Sequence, residues 1–525
     1  MNEILSHYYR VHPATWVYLS SLLSIGVFFK FNRFWSVRNL DLILLLFLAP
    51  GLLLVDERLR EPPWQTGSPT ATAAPSGGRK GTTPADDQPP TPPAVDANGA
   101  GPDRDAAPGD DDAGDTGDKS IADEQDSTNP PSEDGKGAPT ADKGTNVAPA
   151  KGEKPALDPD ARRRKNGFIW LFCVGGVLLV RLLVDATMVR RPLLDPNLSI
   201  GGMTFIACSL FFFLSMNVVT SKPVYHDRKE GSEPGYRLLY RLPTVPTSSN
   251  VATVDDTDDD APSAASGVAA KTLAILAQLA IVVGLAIIGY RHFDNLRTGI
   301  GVAFLYLMLP YTAMMTGRVD HALPAALLVW AVFFYRNAYI AGVLLGLASI
   351  AYYPLYLLPL WFSFYWQRGK FRFFLGVLTS LGALMLLLAV SYGASETFWE
   401  AFKAMYGLWA PKMEGLKGFW ENYNEVYRIP LLAAFIALSG SFALWPAQKN
   451  LGTLMCCSAA VMLGAQFWQG NDGGLTMAWY LPLLLLTIFR PNLEDRVALA
   501  VLGEGWIPRR KQNGAAASEG PPDDG

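Results

Sequence analysis

The chain has 525 residues, of which half are apolar and 18% are charged, and its formal net charge is -4. This average combines two unlike kinds of segment, long apolar runs and polar inserts rich in Pro, Gly, Ala and Asp. The negative charge belongs mainly to the inserts and the tail, so it indicates solvated loops and not an acidic binding face. No nucleic-acid partner is expected.

The apolar runs have the length of membrane spans, since a bilayer core needs roughly 20 apolar residues per helix. They predict an all-α fold, a polytopic transmembrane helix bundle of about 11–13 spans with membrane lipids around it. The runs lie near 13–29, 39–55, 167–189, 198–219, 271–290, 298–316, 322–339, 340–366, 371–392, 430–448, 451–468 and 475–490.

The polar segments divide the chain. Residues 56–166 carry few apolar side chains, so burial cannot offset the entropy that folding would cost, and we predict a disordered acidic linker there. It separates two N-terminal transmembrane helices in 1–55 from a main bundle in 167–490. Further predicted segments are a polar, partly disordered loop at 220–269, an amphipathic interfacial loop at 393–429, and a mostly disordered cytoplasmic tail at 491–525.

Lys and Arg beside the spans predict orientation, because basic flanks stay cytoplasmic. In the second half, the basic turn at 368–372, Lys449 and the residues after Arg490 predict a cytoplasmic side, with 393–429 and 469–474 opposite. Upstream the rule conflicts. One basic group, Arg162–Lys165, precedes the third span. The other group, Lys30, Arg33 and Arg38, lies between the first two spans, and the predicted spans do not easily place both groups on the cytoplasmic side. The side of the membrane assigned to the upstream loops depends on whether 340–366 crosses once or turns back at Tyr353-Pro354. We favour a broken, re-entrant pair of short helices.

Ionisable residues at membrane depth are costly and mark either a site or a structural ion pair. Arg181 and Asp185 are four residues apart, so they share one helix face and can pair. They indicate either a surface ion pair or a carboxylate held for chemistry. Arg190, Arg191 and Asp195 follow in the next loop, where guanidinium groups suit a phosphate-bearing ligand and Asp195-Pro196-Asn197 equally suits an ordinary turn.

A second polar concentration lies between two spans at 316–321. It places Arg318, Asp320 and His321 in four residues, and a carboxylate beside an imidazole can act as acid and base or contact a phosphate. The aromatic and charged residues of 393–429 predict an amphipathic helix on the bilayer surface. The four cysteines, Cys173, Cys208, Cys456 and Cys457, fall inside predicted spans, and the sequence has no nucleotide-binding loop or zinc-ligand spacing, so neither a cofactor nor a metal is predicted.

One stretch is similar to a known family. Residues 317–324, the run LLVWAVFFYRNAYIAGVLLGLASIAYYPLYLLPLW and the basic turn at 367–372 resemble the middle of GT-C type membrane glycosyltransferases, and Met477–Pro482 is similar to their last span. These enzymes take a sugar from a polyprenyl-phosphate carrier. The resemblance implies such a donor, a glycan or lipid acceptor on the non-cytoplasmic side, and a carboxylate base.

The family places an acidic residue in the first non-cytoplasmic loop, and this chain offers only Asp41 near that position. The resemblance therefore passes the catalytic role to Asp320 with His321, or to Asp185 or Asp195. It implies substrate binding by Arg318, Arg190, Arg191, Arg181, Tyr352, Trp479 and Tyr480.

Two other functions are compatible with the same sequence. One is a transporter of a lipid-linked or small polar solute, for which inverted repeats with interrupted helices are the expected sign. The other is a non-catalytic membrane scaffold. The absence of an organelle address and the composition of the inserts indicate a multi-pass protein of a bacterial inner membrane.

Overall fold

Helices make up the regular structure of the ranges that can be described. The computed structural model describes residues 11–55, 159–186, 196–224, 238–239, 242–247, 264–392, 396–406, 416–470 and 473–491, and the predicted linker at 56–166 lies outside them except for its last residues, which begin a helix. The helices are α1 (Pro13–Phe28), α2 (Val37–Val55), α3 (Pro159–Asp185), α4 (Ile200–Thr220), α5 (Ala264–His292), α6 (Leu296–Met308), α7 (Pro310–Met315), α8 (Val319–Phe333), α9 (Ala338–Ala348), α10 (Leu358–Phe364), α11 (Lys370–Tyr392), α12 (Glu396–Tyr406), α13 (Arg428–Leu444), α14 (Leu451–Trp468) and α15 (Leu481–Phe489).

The all-α multi-span prediction is confirmed. Among the described residues, seven helices are long and apolar enough to cross a membrane, namely α2, α3, α4, α5, α11, α13 and α14. The remaining predicted runs are present as shorter helices. The protein is therefore a multi-pass helical membrane protein.

Prolines account for several of the short helices. Pro310, Pro354, Pro359 and Pro482 each stand in the first turn of a helix or 3-10 turn, where the missing N–H leaves no helical hydrogen bond unmade. Pro310 also ends the helix before it, because the preceding Leu309 is extended, with φ -60° and ψ 137°. The apolar run at 298–316 is broken for this reason, whereas α9 already ends at Ala348, six residues before Pro354.

The bundle has two ends, which long-range contacts define. The aromatic end comprises residues 353–357, 416–427, 469–470 and 473–480, and the basic end comprises 29–36, 365–369, 445–450 and 490–491. Helix α3 begins at the aromatic end, where Arg164 pairs with Glu421 at 2.5 Å, and finishes at the basic end, where Asp185 pairs with Arg490 at 2.9 Å.

This geometry separates the basic groups that conflicted in the sequence. Arg162–Lys165 belong to the aromatic end, since Lys165 lies over the Tyr423 ring. Lys30 and Arg38 flank the start of α2 at the basic end, where the neighbouring Asp41 pairs with Arg181 at 2.7 Å. The two groups thus lie at opposite ends of the bundle.

The segment after α8 forms a helical hairpin. Helix α9 leads to the 3-10 turn Tyr353–Leu357 at the aromatic end, and α10 returns toward the basic end. The Tyr365 hydroxyl donates to the carbonyl of Tyr335 at 2.5 Å, so both arms meet at the same end. Helix α9 is about 16 Å long, roughly half a bilayer core. The hairpin has the interruption predicted at Tyr353-Pro354.

The amphipathic segment at 393–429 is partly described. Its helix α12 buries Ala401 and Met405 against Leu384 and Leu388 of α11, while Trp399 stays exposed. Its apolar side therefore packs on the protein as well as being suited to the bilayer surface. The neighbouring turn at 418–422 stacks Phe419 on Phe172 of α3, with ring centroids 3.9 Å apart.

Sidedness can be tested with single reporter cysteines in a variant that lacks the four native ones. We expect cysteines at Asp320 and Asn424 to react with an impermeant thiol reagent from the same side of the membrane, and a cysteine at Gln367 to react from the other. The reason is that α8 begins at the aromatic end and 365–369 lies at the basic end. Labelling of positions 320 and 424 from opposite sides would contradict this arrangement.

Candidate active site

The structure places the predicted site residues in two separate groups. Arg318, Asp320, His321, Trp479 and Tyr480 lie at or beside the aromatic end, with Tyr352 near them. Arg181 and Asp185 lie at the basic end of α3. Arg190, Arg191 and Asp195 fall outside the described residues.

The first group is built on the start of α8. Arg318 is the residue before the helix, and Asp320 stands in its first turn, where the exposed N–H groups favour a negative charge. The guanidinium holds the carboxylate in a bidentate pair, with Nε to Oδ1 at 3.0 Å and Nη2 to Oδ2 at 2.7 Å. The Arg318 side chain keeps 33% of its surface exposed and the Asp320 side chain 20%. Both charged groups are therefore reachable from outside the bundle.

The charges set the ionisation of this pair. Burial acts to raise the pKa of the Asp320 carboxyl, but the Arg318 charge and its hydrogen bonds outweigh burial and hold that pKa below its usual value. Asp320 is therefore a carboxylate at neutral pH. It can accept a proton once a competing group draws the guanidinium away.

His321 links this carboxylate to a buried tyrosine. Its Nδ1 lies 2.9 Å from the Tyr311 hydroxyl, and its Nε2 lies 3.6 Å from Oδ2 of Asp320. Burial lowers the pKa of His321 to about 4, because the adjacent carboxylate raises it by less. The ring is thus neutral at pH 7. In the tautomer in which the Tyr311 hydroxyl donates to Nδ1, the ring proton is at Nε2, on the side of Asp320.

A connection from the predicted polar loop packs against the turn that carries these groups. A Cβ on Gly317 would overlap the carbonyl oxygen of Val245, so only glycine allows the two backbones to approach this closely. Thr247 donates to the carbonyls of Ala313 at 3.2 Å and Met314 at 2.8 Å. Residues 244–247 are therefore part of the wall of the site, although the sequence predicted only a polar, partly disordered loop.

Trp479 joins the turn to a row of tyrosines. Its indole N–H donates to the Asp320 carbonyl at 3.4 Å, and its ring lies 5.1 Å from that of Tyr353. Tyr352 follows at 4.8 Å from Tyr353, and its hydroxyl lies 2.7 Å from that of Tyr356. An aromatic wall therefore extends from Asp320 along the aromatic end.

The segment before Trp479 is held by buried amides. Gln466 Oε1 accepts hydrogen bonds from the backbone N–H groups of Gly474 and Thr476, each at 3.2 Å, and from the Thr476 hydroxyl at 2.5 Å. Arg428 spans the same region, with Nε and Nη2 donating to the Trp468 carbonyl at 3.1 and 2.9 Å. These contacts fix the turn from which Trp479 reaches Asp320. Tyr480, which follows, is 2% exposed and has no open face toward a ligand.

The second group is a buried ion network at the basic end. Arg181 pairs with Asp41 at 2.7 Å and with Asp185 at 3.0 Å, and Arg490 pairs with the other Asp185 oxygen at 2.9 Å. The Asp185 side chain is 1% exposed. Both Asp185 carboxylate oxygens are paired with cations. The ion network therefore has a structural role, because it connects α2, α3 and the C-terminal end of α15.

Arg490 reaches this network across a glycine. A Cβ on Gly452 would overlap Nη1 of Arg490, so any other residue there would require the Arg490 guanidinium to shift. The Cys456 thiol, one turn along, donates to the Leu182 carbonyl at 3.0 Å. The sequence marked Arg490 only as a basic residue after the last span, and it gave no signal that Arg490 pairs with Asp185 or that Gly452 lies against it.

Comparison of the chain with protein-family models, curated proteins and solved structures found no match. Within the part of the chain that the structure describes, no three His, Cys, Asp or Glu side chains are grouped to hold a metal ion.

The ion network predicts a strong effect on stability. We expect Asp185→Asn to lower the free energy of unfolding by about 3–5 kcal/mol, because it removes the carboxylate that pairs with the buried Arg490 guanidinium and one of the two carboxylates that pair with Arg181. Thermal unfolding of the purified protein in detergent measures this. Glu400→Gln, at an exposed position on α12, is the matched control and should leave the midpoint unchanged. Equal midpoints for both variants would contradict a structural role for the network.

Proposed function

We propose that the protein is a GT-C-like glycosyltransferase that moves a sugar from a polyprenyl-phosphate carrier to an acceptor hydroxyl at the aromatic end. The observation that supports this most is the Arg318–Asp320 pair, whose side chains are both partly exposed. A neutral histidine lies beside the pair, and an aromatic wall begins next to it. It offers a carboxylate base and a guanidinium for phosphate in one turn. The similarity of 317–372 to GT-C enzymes supports the same assignment.

The reaction needs these two charges to separate. The guanidinium of Arg318 binds the phosphate of the donor bidentately, as it binds the carboxylate in the free protein. Asp320 then accepts the proton of the acceptor hydroxyl while that oxygen forms a bond to the anomeric carbon. The bond from the anomeric carbon to the phosphate oxygen breaks, and the electron pair leaves with polyprenyl phosphate. Arg318 stabilises the charge that develops on that phosphate.

Exposure favours this group over the one at the basic end. Asp185 is buried between two cations, and freeing it would take its carboxylate away from the buried Arg490 and leave Arg181 paired with Asp41. Asp320 faces a single, half-exposed cation that a phosphate can engage. The basic residues Arg368, Lys449 and Arg490 at the other end favour a non-cytoplasmic acceptor site, whereas Arg162–Lys165 at the aromatic end run against it.

The proposal is tested by transfer of radiolabelled sugar in membranes containing the full-length protein. The probes are polyprenyl-phosphate-linked hexoses and pentoses, with the membrane lipid and glycan extract as acceptor. We expect Asp320→Asn to lower the rate by about a hundredfold or more, since an amide cannot accept the proton. Arg318→Lys should lower it less, because a lysine keeps the charge but loses the bidentate geometry.

Glu400→Gln is the matched control for loss of a carboxylate and should transfer at the wild-type rate. Thermal unfolding of Asp320→Asn shows whether the fold is kept, and Asp320→Glu, which retains the charge, is expected to keep part of the activity. Undiminished transfer by a folded Asp320→Asn would refute the proposed base.

The pH dependence of transfer gives an independent test. Since burial lowers the pKa of His321 to about 4, its proton is already lost when the pH rises above about 5, and the ring stays neutral through pH 8. We therefore expect the profile of kcat/KM to show no inflection near the usual histidine pKa of about 6.5. An inflection there that disappears in His321→Gln would contradict a neutral histidine.

A further inference from the structure

Five aromatic side chains form a cluster at the aromatic end that extends beyond the predicted site. We call it the aromatic cup, and its residues come from the 3-10 turn between α9 and α10, from α13 and from the end of α14. Trp468 is central, with ring centroids at 6.4 Å from Tyr352, 5.5 Å from Tyr353, 6.1 Å from Tyr356 and 5.8 Å from Phe435.

The aromatic cup holds hydrogen-bonding capacity that the described contacts do not use. The Trp468 side chain lies in a residue that is 6% exposed, and its indole N–H has no hydrogen-bond partner. A buried indole N–H ordinarily has one. The hydroxyls of Tyr352 and Tyr356 pair with each other at 2.7 Å, and because one proton serves that bond, the second hydroxyl proton is left to donate elsewhere.

The aromatic cup also lies beside the turn at 316–321 that carries Asp320. Tyr353 contacts both Trp468 and Trp479, and the indole of Trp479 donates to the Asp320 carbonyl. Tyr352 and Tyr356 are only half buried, so the cluster is accessible on their side. The basic side chain of Arg428 lies at Trp468, but its Nε and Nη2 donate to the Trp468 backbone carbonyl, so it is not presented as a phosphate contact.

We propose that the aromatic cup binds the ring of a neutral pyranose. A pyranose has an apolar C–H face that packs on aromatic rings and a rim of hydroxyl oxygens that accept hydrogen bonds from an indole N–H and a phenol O–H. Aromatic walls with a few polar groups are the usual composition of such sites. The inference rests on the proposed function for its meaning, since the bound ring is then the sugar of the donor or of the acceptor. The cup residues carry no charge, which favours a neutral ring over a phosphate.

The test uses the full-length protein labelled with 5-fluorotryptophan and observed by fluorine NMR in lipid nanodiscs. The Trp468 signal, one of 14 tryptophan signals, is assigned with Trp468→Phe, or with Phe435→Leu if that variant does not fold. The probes are methyl pyranosides of the gluco, manno and galacto series, with cyclohexanol as an apolar ring of similar size. We expect saturable shifts of the Trp468 signal with at least one pyranoside and none with cyclohexanol.

Variants test the role of the tyrosine hydroxyls. Tyr352→Phe keeps the ring and should weaken pyranoside binding by about three- to tenfold, the range for loss of one hydrogen bond. Tyr427→Phe is the matched control, since Tyr427 is 64% exposed and lies outside the cup. The signal of Trp35, which is 93% exposed, should not move.

The outcomes separate this inference from the proposed function. No shift of the Trp468 signal with any pyranoside, or the same shift with cyclohexanol, overturns the sugar site, whatever the transfer assay shows. Saturable shifts support it even if transfer proves independent of Asp320, because the NMR measurement does not use the reaction. Where transfer is observed, a raised KM of Tyr352→Phe for the donor or for the acceptor, with kcat kept, identifies which sugar the cup binds.

Discussion

The contact between Asp185 and Arg490 connects the first helices of the bundle to its C-terminal part. Arg490 directly follows α15, a helix of nine residues with Trp479 just before its start. A short helix held at one end by a buried ion pair has little freedom at the other. Trp479, just before α15, contacts the Asp320 carbonyl, and Arg490, just after α15, pairs with Asp185. Helix α15 therefore connects the ion network at the basic end to the turn that carries Asp320 at the aromatic end.

Asp185 and Asp320 are similar in sequence context but differ in their surroundings, which suit one to a structural role and the other to the proposed chemistry. Asp185 and Asp320 each pair with arginine, so sequence motifs alone rank them equally. Asp185 is enclosed by two guanidinium groups, and its charge is compensated at the cost of reactivity. Asp320 has one guanidinium partner and an open side. In the proposed mechanism, a donor phosphate replaces the carboxylate at Arg318, and this exchange frees Asp320 to act as the base.

The prolines that break the apolar runs are also what places polar groups near the aromatic end. A continuous helix through 298–316 or 340–366 would have carried its side chains straight across the bundle. Pro310 and Pro354 instead begin new turns, which are packed within protein, where irregular backbone is tolerated at membrane depth. The turn that carries Asp320 and the turn that carries Tyr352 and Tyr356 both follow such breaks.

Apolar length is a local property, so the amino-acid sequence was enough to predict the apolar runs, but the break of 298–316 before Pro310 was seen only in the structure. The sequence also predicted Arg181 with Asp185, and Arg318 with Asp320 and His321, since those neighbours share a helix face or a turn. Which of these groups is buried depends on long-range packing. Asp41 and Arg181 are 140 residues apart and Arg490 and Asp185 are 305 apart, so no local pattern could join them. The same holds for the two ends of the bundle: basic residues near 30 and near 164 look alike in sequence, and long-range packing alone assigns them to opposite ends.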